Sequence, residues 1–564
     1  MNNRHTASLL GCLLNLAVIW VLNAQLVPGI NESHYLPKAK HAWNPSFAPG
    51  DLFLESGNAH WLFAQMAGAL SLLVPLAGVA WIGRMLAWLA MAFAWQRLAV
   101  ALRLPIVVSA LALAGSLLAT RMGNWAGEWA VGGFEAKSLA YPWVVLALAQ
   151  VVRHRWSSAW IPLGIATAFH PLVGGWAGLT ILGAWCCLGR QQAPLAGQWP
   201  QLTIAAALAM VGLVPAVAMI GGPSRSGEIV VAQIHAFFRL AHHQSPRLFH
   251  WHQHVAGAIS LAILGGITLA LYGQSSQRLK AVRLAQQPSV EAAGSSAASV
   301  SSGSLMVVAW CSVGLCLCGV LIDTLGVWIR PDVAAGLLRF YWFRWADVIV
   351  PLAWVIGAWH LTLSCMPSYY GRQASLSAAA GTSPANWLPA AGLSLLTVGM
   401  MAWQISGNWH SPIAPADRTI LMADSSDKAS GPEVVDDWIA ACNWIAANTP
   451  SDALFLTPRA QQTFKWYAAR AEVVTFKDVP QDSQSLLEWY DRIGRCAPPR
   501  APDGKPLGWT TPQIKRLHAR YGFDYLLVDR RIQTAPPLLE IVYPLGTEQN
   551  RTYAIFKLPK SATH

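Results

Sequence analysis

Long apolar runs follow one another through the first 409 residues of this chain, separated by short polar stretches. Hydrophobic residues make up 54% of the sequence and charged residues only 12%, whereas a soluble domain typically has about 25% charged residues. A run of about 20 apolar residues can cross a bilayer as a helix. We therefore predict a mainly α, polytopic transmembrane helical bundle with about eleven spans over residues 1–409.

The formal net charge is +12. Basic residues are scattered through the short loops rather than gathered in one domain, which argues against nucleic-acid binding and fits the positive-inside rule. The 9 cysteines show no metal-type spacing with histidine partners, so neither a zinc site nor a disulfide framework is inferred. A site for some other divalent ion stays open at this point.

The basic loops also predict the orientation of the bundle. We expect the first apolar run to be an uncleaved membrane helix rather than a signal peptide. Residues 59–82 either cross the membrane or lie in its outer interface, and we favour the second alternative because it keeps later basic loops on the cytoplasmic side. The polar, Ser- and Ala-rich stretch 273–304 is predicted to be a flexible cytoplasmic loop.

The composition changes after Trp409, where charged residues and Asp/Pro turns become frequent. Helical periodicity covers 433–448, and strand patterns occur at 453–458, 472–476, 523–529 and 552–558. Strands that alternate with helices predict a small α/β domain over 410–564. An odd number of spans places this domain outside the cytoplasm.

The first predicted outer loop, residues 28–58, is unusually polar for its position. It contains Glu32, Asp51 and Glu55, together with His34. Carboxylates at a membrane surface are costly unless they are solvated or used. We therefore interpret this loop as the acidic half of a functional site.

Residues 31–35, Asn-Glu-Ser-His-Tyr, resemble the acidic–aromatic motif after the first helix of the GT-C class of integral-membrane glycosyltransferases. Many members have Asp-Glu there, whereas here Asn31 takes the Asp position and only Glu32 matches. The layout of the whole chain is also similar to that class, and the segment that begins at Asp436 resembles the start of the outer domain in its bacterial members. The resemblance implies hexosyl or pentosyl transfer from a polyprenyl-phosphate donor.

The resemblance also implies roles for the loop residues. Glu32 or Asp51 would serve as the catalytic base, and cationic or hydrogen-bonding side chains would hold the leaving phosphate. The substrate- or phosphate-binding candidates lie in later outer loops: Lys137, Arg239, His242, His243, Arg339 and Arg344. His34, Glu55 and Glu135 are further candidates.

Simpler interpretations remain for several of these residues. Glu135 and Lys137 could pair with each other, and Arg344 could neutralise Asp347 three residues later on the same helix face. His242 and His243 could lie in a solvated loop or take part in a metal site. No cofactor is required by the sequence, although a divalent metal ion remains possible.

The expected partners are the bilayer, a lipid-linked sugar donor and a lipid, glycan or protein acceptor, with no nucleic acid. The expected location is a bacterial inner (plasma) membrane. Two other function classes stay open: a transporter or flippase for a lipid-linked or polar solute, and a non-catalytic membrane assembly protein. The first would show internal repeats and charges at mid-membrane.

Overall fold

The computed structural model describes residues 3–220, 225–284, 290–366, 387–409, 411–422, 431–504, 506–533, 535–546 and 549–559. Its helices to the end of the bundle are α1 Asn3–Asn23, α2 Glu32–Trp43, α3 Leu52–Glu55, α4 Trp61–Ser71, α5 Leu76–Ala101, α6 Ile106–Met122, α7 Ala136–Val152, α8 Ser157–Phe169, α9 Pro171–Ala184, α10 Trp199–Ala218, α11 Arg225–Gln233, α12 Ala241–Gln244, α13 Trp251–Leu284, α14 Val290–Leu321, α15 Val327–Ile329, α16 Pro331–Leu338, α17 Ala346–Ser364 and α18 Leu388–Trp409. π-helical turns extend α9 over Trp185–Gly189, α11 over Ile234–Arg239 and α14 over Ile322–Gly326.

Among the described residues, 8 helices are long and apolar enough to cross a membrane. They are α1, α5, α9, α10, α13, α14, α17 and α18, and three shorter apolar helices, α6, α7 and α8, pack among them. Eight long and three short helices together match the predicted number of spans. The protein is therefore an integral, multi-pass membrane protein with a mainly helical fold, as predicted.

Two boundaries differ from those expected. The break between the second and third apolar runs lies at 72–75, where Pro75 precedes α5, and not at 83–84. Helix α5 continues through Arg84, which is buried and paired with an acidic side chain. The predicted flexible loop 273–304 is helical in its described parts, which continue α13 and begin α14. Within it, residues 285–289 lie outside the described residues.

The C-terminal domain continues with α19 Gly431–Asn448, β1 Leu454–Leu456, α20 Phe464–Ala468, β2 Ala471–Glu472, α21 Ser483–Arg495, α22 Thr511–Tyr521, β3 Tyr525–Asp529, β4 Glu540–Tyr543 and β5 Tyr553–Lys557. The sheet order is β2-β1-β3-β5-β4, with parallel β2-β1-β3 and antiparallel β3-β5-β4 pairs. Three of the four predicted strands are present, whereas the strand predicted at 472–476 overlaps the two-residue β2 only at Glu472. Strand β4 was not predicted, because its described side chains are largely exposed and give no buried pattern.

The first polar loop is folded against this domain rather than extended in solvent. Helix α2 packs on α4 and α20, and the side chains of Leu36 and Phe53 share one apolar cluster with Ala471 of β2. The loop therefore forms a layer between the bundle and the sheet. This layer brings residues of three distant chain segments around one cavity.

Candidate active site

A cavity of about 780 Å³, here named the main cavity, lies where the bundle, the first loop and the C-terminal domain meet. Eight of the residues predicted from the sequence line it: Glu32, His34, Glu135, Lys137, Arg239, His242, His243 and Arg344. Asp51, Glu55 and Arg339 are not among its lining residues. The structure thus brings together most of the predicted residues, which come from four separate loops.

Glu32 is buried and fully engaged. Its two carboxylate oxygens accept from Nε and Nη2 of Arg84 at 2.7 and 2.6 Å, and also from the backbone amides of Gly29 and Phe134 at 2.7 Å each. A bidentate pair of this kind is strong and geometrically specific. Glu32 therefore lines the main cavity as part of an ion pair that fixes the start of α2 to α5.

Glycines on both sides of Glu32 permit this close packing. A Cβ added at Gly133 would lie 3.0 Å from Oε1 of Glu32, and one added at Gly29 would lie 3.1 Å from Oε2. A side chain at either position would crowd the carboxylate, so glycine favours the close approach of the neighbouring amides. The Gly-Gly pair before Phe134 therefore holds the loop that precedes α7 against Glu32.

Glu135 is a second buried carboxylate in the main cavity, with weaker partners. The side-chain amide of Asn31 donates to Oε1 and Oε2 at 3.2 and 2.9 Å, and Nζ of Lys137 lies 3.6 Å from Oε1. Glu135 also caps α7 in a capping box with Ser138. Burial raises the pKa of Glu135, with Lys137 acting in the opposite direction. A carboxylate with a raised pKa and no bidentate partner is suited to proton transfer.

Lys477 comes from the C-terminal domain and faces the same carboxylate from the other side of Asn31. Its Nζ donates to Oδ1 of Asn31 at 2.9 Å, so Asn31 bridges Lys477 and Glu135. Burial and the nearby Arg239 lower the pKa of Lys477 to about 8. Sequence reasoning missed Lys477, because only the docking of the domain places it in the main cavity.

Glu128 joins two of the predicted cations. Its carboxylate lies 3.0 Å from Nζ of Lys137 and 2.6 Å from Nε of Arg344, and it is buried. The alternative pairing of Arg344 with Asp347 is not observed: Asp347 instead accepts from the backbone amides of Trp125, Ala126 and Glu128. Sequence reasoning missed Glu128, although its proximity in sequence to Glu135 and Lys137 was a usable signal.

The 239–243 segment forms another wall. Nε of Arg239 donates to the carbonyl of Phe476 at 3.1 Å, and its guanidinium lies 4.7 Å from the centre of the Phe476 ring. His243 hydrogen-bonds through Nδ1 to the carbonyl of Ala126, and its ring centre is 3.9 Å from that of His242. Burial lowers the pKa of His243 to about 3 and lowers that of His242. At neutral pH these histidines therefore act as hydrogen-bonding groups and not as cations.

Asp51 belongs to a separate group that we name the anchor cluster, formed by His34, Asp51, Lys465, Glu472 and Asp478. Nζ of Lys465 lies 3.1 Å from Asp51, 2.6 Å from Glu472 and 2.6 Å from Asp478. Asp51 also caps α3 and accepts from the backbone amide of Glu472 at 3.1 Å. These contacts join the first loop to the C-terminal domain.

His34 completes the anchor cluster with a 2.7 Å bond from Nδ1 to Asp478. Burial raises the pKa of Asp478, but Lys465 and His34 outweigh it and lower the pKa to about 2. Burial also lowers the pKa of His34 to about 4, against the pull of Asp478. At neutral pH, His34 is therefore a neutral donor to an ionised carboxylate.

The remaining predicted residues lie elsewhere. Glu55 is exposed and accepts from the amide of Gly50 at 2.6 Å, which stabilises a turn. Arg339 follows α16, where its electrostatic partners include Glu228. Within the part of the chain that the structure describes, no group of three or more His, Cys, Asp or Glu side chains is arranged to hold a metal ion.

The main cavity therefore holds one loosely bound carboxylate, Glu135, opposite several cationic groups. Lys477 and Arg239 come from one side, and the Lys137–Glu128–Arg344 triad lies on the other. Such a site can accept a proton at the carboxylate and stabilise negative charge at the cations.

Comparisons with known proteins complete this description. Residues 436–496 match the family model described as a domain of unknown function (DUF6798), and no curated protein matches the chain. The chain is similar in structure to the archaeal oligosaccharyltransferase AglB from Archaeoglobus fulgidus in complex with an inhibitory peptide and a dolichol-phosphate, with 10% identity and a TM-score of 0.44 over 94% of this chain and 70% of that one. It is also similar to the oligosaccharyltransferase of Archaeoglobus fulgidus in complex with Zn and sulfate, with 10% identity and a TM-score of 0.40 over 92% and 68% of the two chains.

Proposed function

We propose that this protein is a membrane glycosyltransferase that moves a hexosyl or pentosyl group from a polyprenyl-phosphate donor to an acceptor on the outer face of the membrane. The observation that carries the proposal is the main cavity, in which Glu135 faces Lys477 and Arg239 at the junction of a membrane bundle and a folded domain. A lipid-linked donor needs such a junction, because its chain stays in the bilayer while its sugar phosphate enters a polar site.

Glu135 is the proposed base. It removes a proton from an acceptor hydroxyl, whose oxygen then forms a bond to the anomeric carbon of the sugar. The bond between that carbon and the phosphate oxygen breaks, and polyprenyl phosphate leaves. Of the two bases predicted from the sequence, Glu32 has both oxygens engaged by Arg84 and backbone amides, and Asp51 is held by Lys465. The contacts therefore favour Glu135.

Lys477 and Arg239 are the proposed phosphate ligands. Negative charge on the phosphate grows as the sugar departs, so cations that are already fixed in place lower the barrier. Asn31 fixes Lys477, and the carbonyl of Phe476 fixes Arg239. Glu128 pairs with both Arg344 and Lys137, so these three side chains together carry one net positive charge. This charge also stabilises the negative charge on the phosphate.

Binding and turnover of a labelled polyprenyl-phosphate sugar by the protein in lipid nanodiscs test this proposal. We expect donor binding to weaken about tenfold in Lys477→Gln or Arg239→Gln, since each removes a charge-assisted hydrogen bond. Arg516→Gln, on the exposed face of α22, is the matched control. Donor that binds but is never consumed, even with native membranes as the source of acceptor, would favour a transporter or flippase.

The sidedness and the metal requirement are further parts of the proposal. Reporter fusions at Gln192 and Thr449 are expected on opposite sides of the membrane, with Thr449 outside the cytoplasm. Both reporters on one side would reject this orientation. Whether transfer requires a divalent ion is tested by measuring transfer after dialysis against a chelator and again after Mg²⁺ or Mn²⁺ is restored.

A further inference from the structure

A second cavity, here named the domain cavity, lies within the C-terminal domain and has a volume of about 200 Å³. It opens where the parallel strands β1 and β3 end, between the segments that follow them. Ligands of α/β sheets commonly bind at the carboxyl ends of parallel strands. The volume is below the roughly 300–1,000 Å³ of typical ligand pockets, which favours a small ligand such as a monosaccharide over an oligosaccharide.

A residue that lines this cavity has a buried polar atom without a partner within the described protein. Gln461 is 1% exposed and lines the cavity. Its Nε2 donates to the hydroxyl of Tyr553 at 3.1 Å, whereas its Oε1 accepts no hydrogen bond. Because an unsatisfied buried acceptor is costly, a ligand hydroxyl or a water that donates to it would be stabilising.

Two arginines and a tryptophan complete the lining. Arg459 and Arg500 both line the cavity. Nη1 of Arg459 donates to the carbonyl of Ile493 at 3.1 Å, and Nη1 of Arg500 donates to the carbonyl of Gly504 at 2.6 Å. These bonds position the two side chains. The backbone N–H of Trp509 donates to Oε1 of Gln533 at 2.6 Å, and Nε2 of Gln533 donates to the carbonyl of Trp509 at 3.0 Å. The aromatic residue is thus held in a defined place.

The acidic residue of the lining does not cancel this positive charge. Asp529 is held by Arg531, whose Nε and Nη2 donate to its two oxygens at 2.9 and 2.5 Å. Because Asp529 is paired with Arg531, Arg459 and Arg500 are the charged side chains that a ligand would contact.

From this combination we infer that the domain cavity is a binding site for a monosaccharide that bears an anionic group. The anion binds Arg459 and Arg500, a ring hydroxyl donates to Oε1 of Gln461, and Trp509 offers its face to the apolar side of the sugar ring. The anion can be a carboxylate or a phosphate, since Arg recognises both. This inference goes beyond the proposed transfer reaction and does not depend on it.

The test uses the full-length protein in nanodiscs with radiolabelled glucuronate, glucose 6-phosphate, glucose and inorganic phosphate as probes in equilibrium dialysis. We expect one or both anionic sugars to bind at least tenfold more tightly than glucose or phosphate. Glucuronate against glucose 6-phosphate identifies the preferred anion. Arg500→Gln, at an exposed position, and Arg459→Gln should each weaken binding about tenfold.

Two controls separate this site from the main cavity. Arg239→Gln tests whether the probes bind in the main cavity instead, and Arg516→Gln, which lies outside both cavities, is the control that should leave binding of the sugar probes unchanged. Gln461→Glu should abolish binding, because it places a negative charge beside the ligand. Binding that survives the double variant Arg459→Gln/Arg500→Gln, binding that is lost in Arg239→Gln, or no binding of either anionic sugar would overturn the inference.

Discussion

Two groups of charged side chains are buried where the first loop meets the C-terminal domain, and they differ in how completely the protein satisfies them. In the anchor cluster, Lys465 contacts three carboxylates, and Asp51 also accepts from backbone amides of α3 and β2. In the main cavity, Glu135 caps α7, and its side-chain partners are the amide of Asn31 and a lysine at 3.6 Å. The first arrangement is suited to holding parts together, and the second to reacting with a ligand.

This difference explains why residue type alone is a poor guide to function. Asp51 and Glu135 are both buried acids that follow glycine-containing loops. Buried charges must be paired, but a charge that is fully paired within the protein has little left to offer a substrate. The predictions below separate the two groups.

The largest expected effect is on transfer in Glu135→Gln. Gln preserves the shape and the bond to Asn31 but cannot take up a proton, so transfer should fall by about 10²–10⁴-fold. The wild-type rate should rise with pH through a pKa above the ordinary glutamate value, because the base must be ionised. That rising limb should be lost in the variant. Radiolabelled sugar transfer in native membranes measures both the transfer rate and its pH dependence. An active variant would show that Glu135 is not the base.

The next largest effect is on stability in Lys465→Met. The change leaves three buried carboxylates without their common cation, and breaking a buried pair costs about 3–5 kcal/mol. Thermal unfolding in detergent, together with protease sensitivity of the C-terminal domain, measures the loss. Lys515→Met, at an exposed position of α22, is the control. Equal unfolding temperatures in the two variants would contradict an anchoring role.

A smaller effect is expected for Lys477, which should bind donor phosphate only while it is protonated. The pKa of Lys477 is about 8, so the affinity for polyprenyl phosphate should fall as the pH rises through this value. Lys477→Arg should keep its affinity at high pH, because Arg stays charged. Lys477→Gln should be weak at every pH. Titrations from about pH 7 to about pH 10 decide this, because the range brackets the pKa of about 8 and stays below the ordinary lysine pKa of about 10.4. Identical profiles for wild type and Lys477→Arg would assign the phosphate contact elsewhere.

The smallest effect is expected for Glu55→Gln. Glu55 is exposed and stabilises only a turn through Gly50, so the free energy of unfolding should change by less than about 0.5 kcal/mol. Transfer should be unaffected. A large loss of transfer in this variant would extend the site beyond the main cavity.

The hydropathy of long runs was sufficient to predict the membrane bundle, and the alternation of strand and helix patterns was sufficient to predict the α/β domain. The length of apolar runs limits the number of helices, and buried strands give a local pattern. The break at 72–75 and the helical parts of 273–304 were missed, because hydropathy alone does not determine where a helix begins and ends. Strand β4 at the edge of the sheet gave no buried pattern.

The pairing of side chains was much harder to predict than their presence. Arg84 pairs with Glu32 across 52 positions, and Lys477 reaches Asn31 across 446. No local pattern reports such contacts. Of these two pairs, only that of Arg84 gave a usable signal, because a charge inside the long apolar helix α5 requires a buried partner.

Unfolding temperature and transfer per folded molecule, measured for both Asp51→Asn and Glu135→Gln, distinguish an anchoring carboxylate from a catalytic one. We expect opposite profiles. Asp51→Asn should lower stability by about 1–3 kcal/mol, as expected for a weakened buried polar contact, and keep its transfer activity. Glu135→Gln should keep its stability and lose transfer. A stable Asp51→Asn variant that cannot transfer sugar, beside an active Glu135→Gln variant, would contradict the assignment of the two regions.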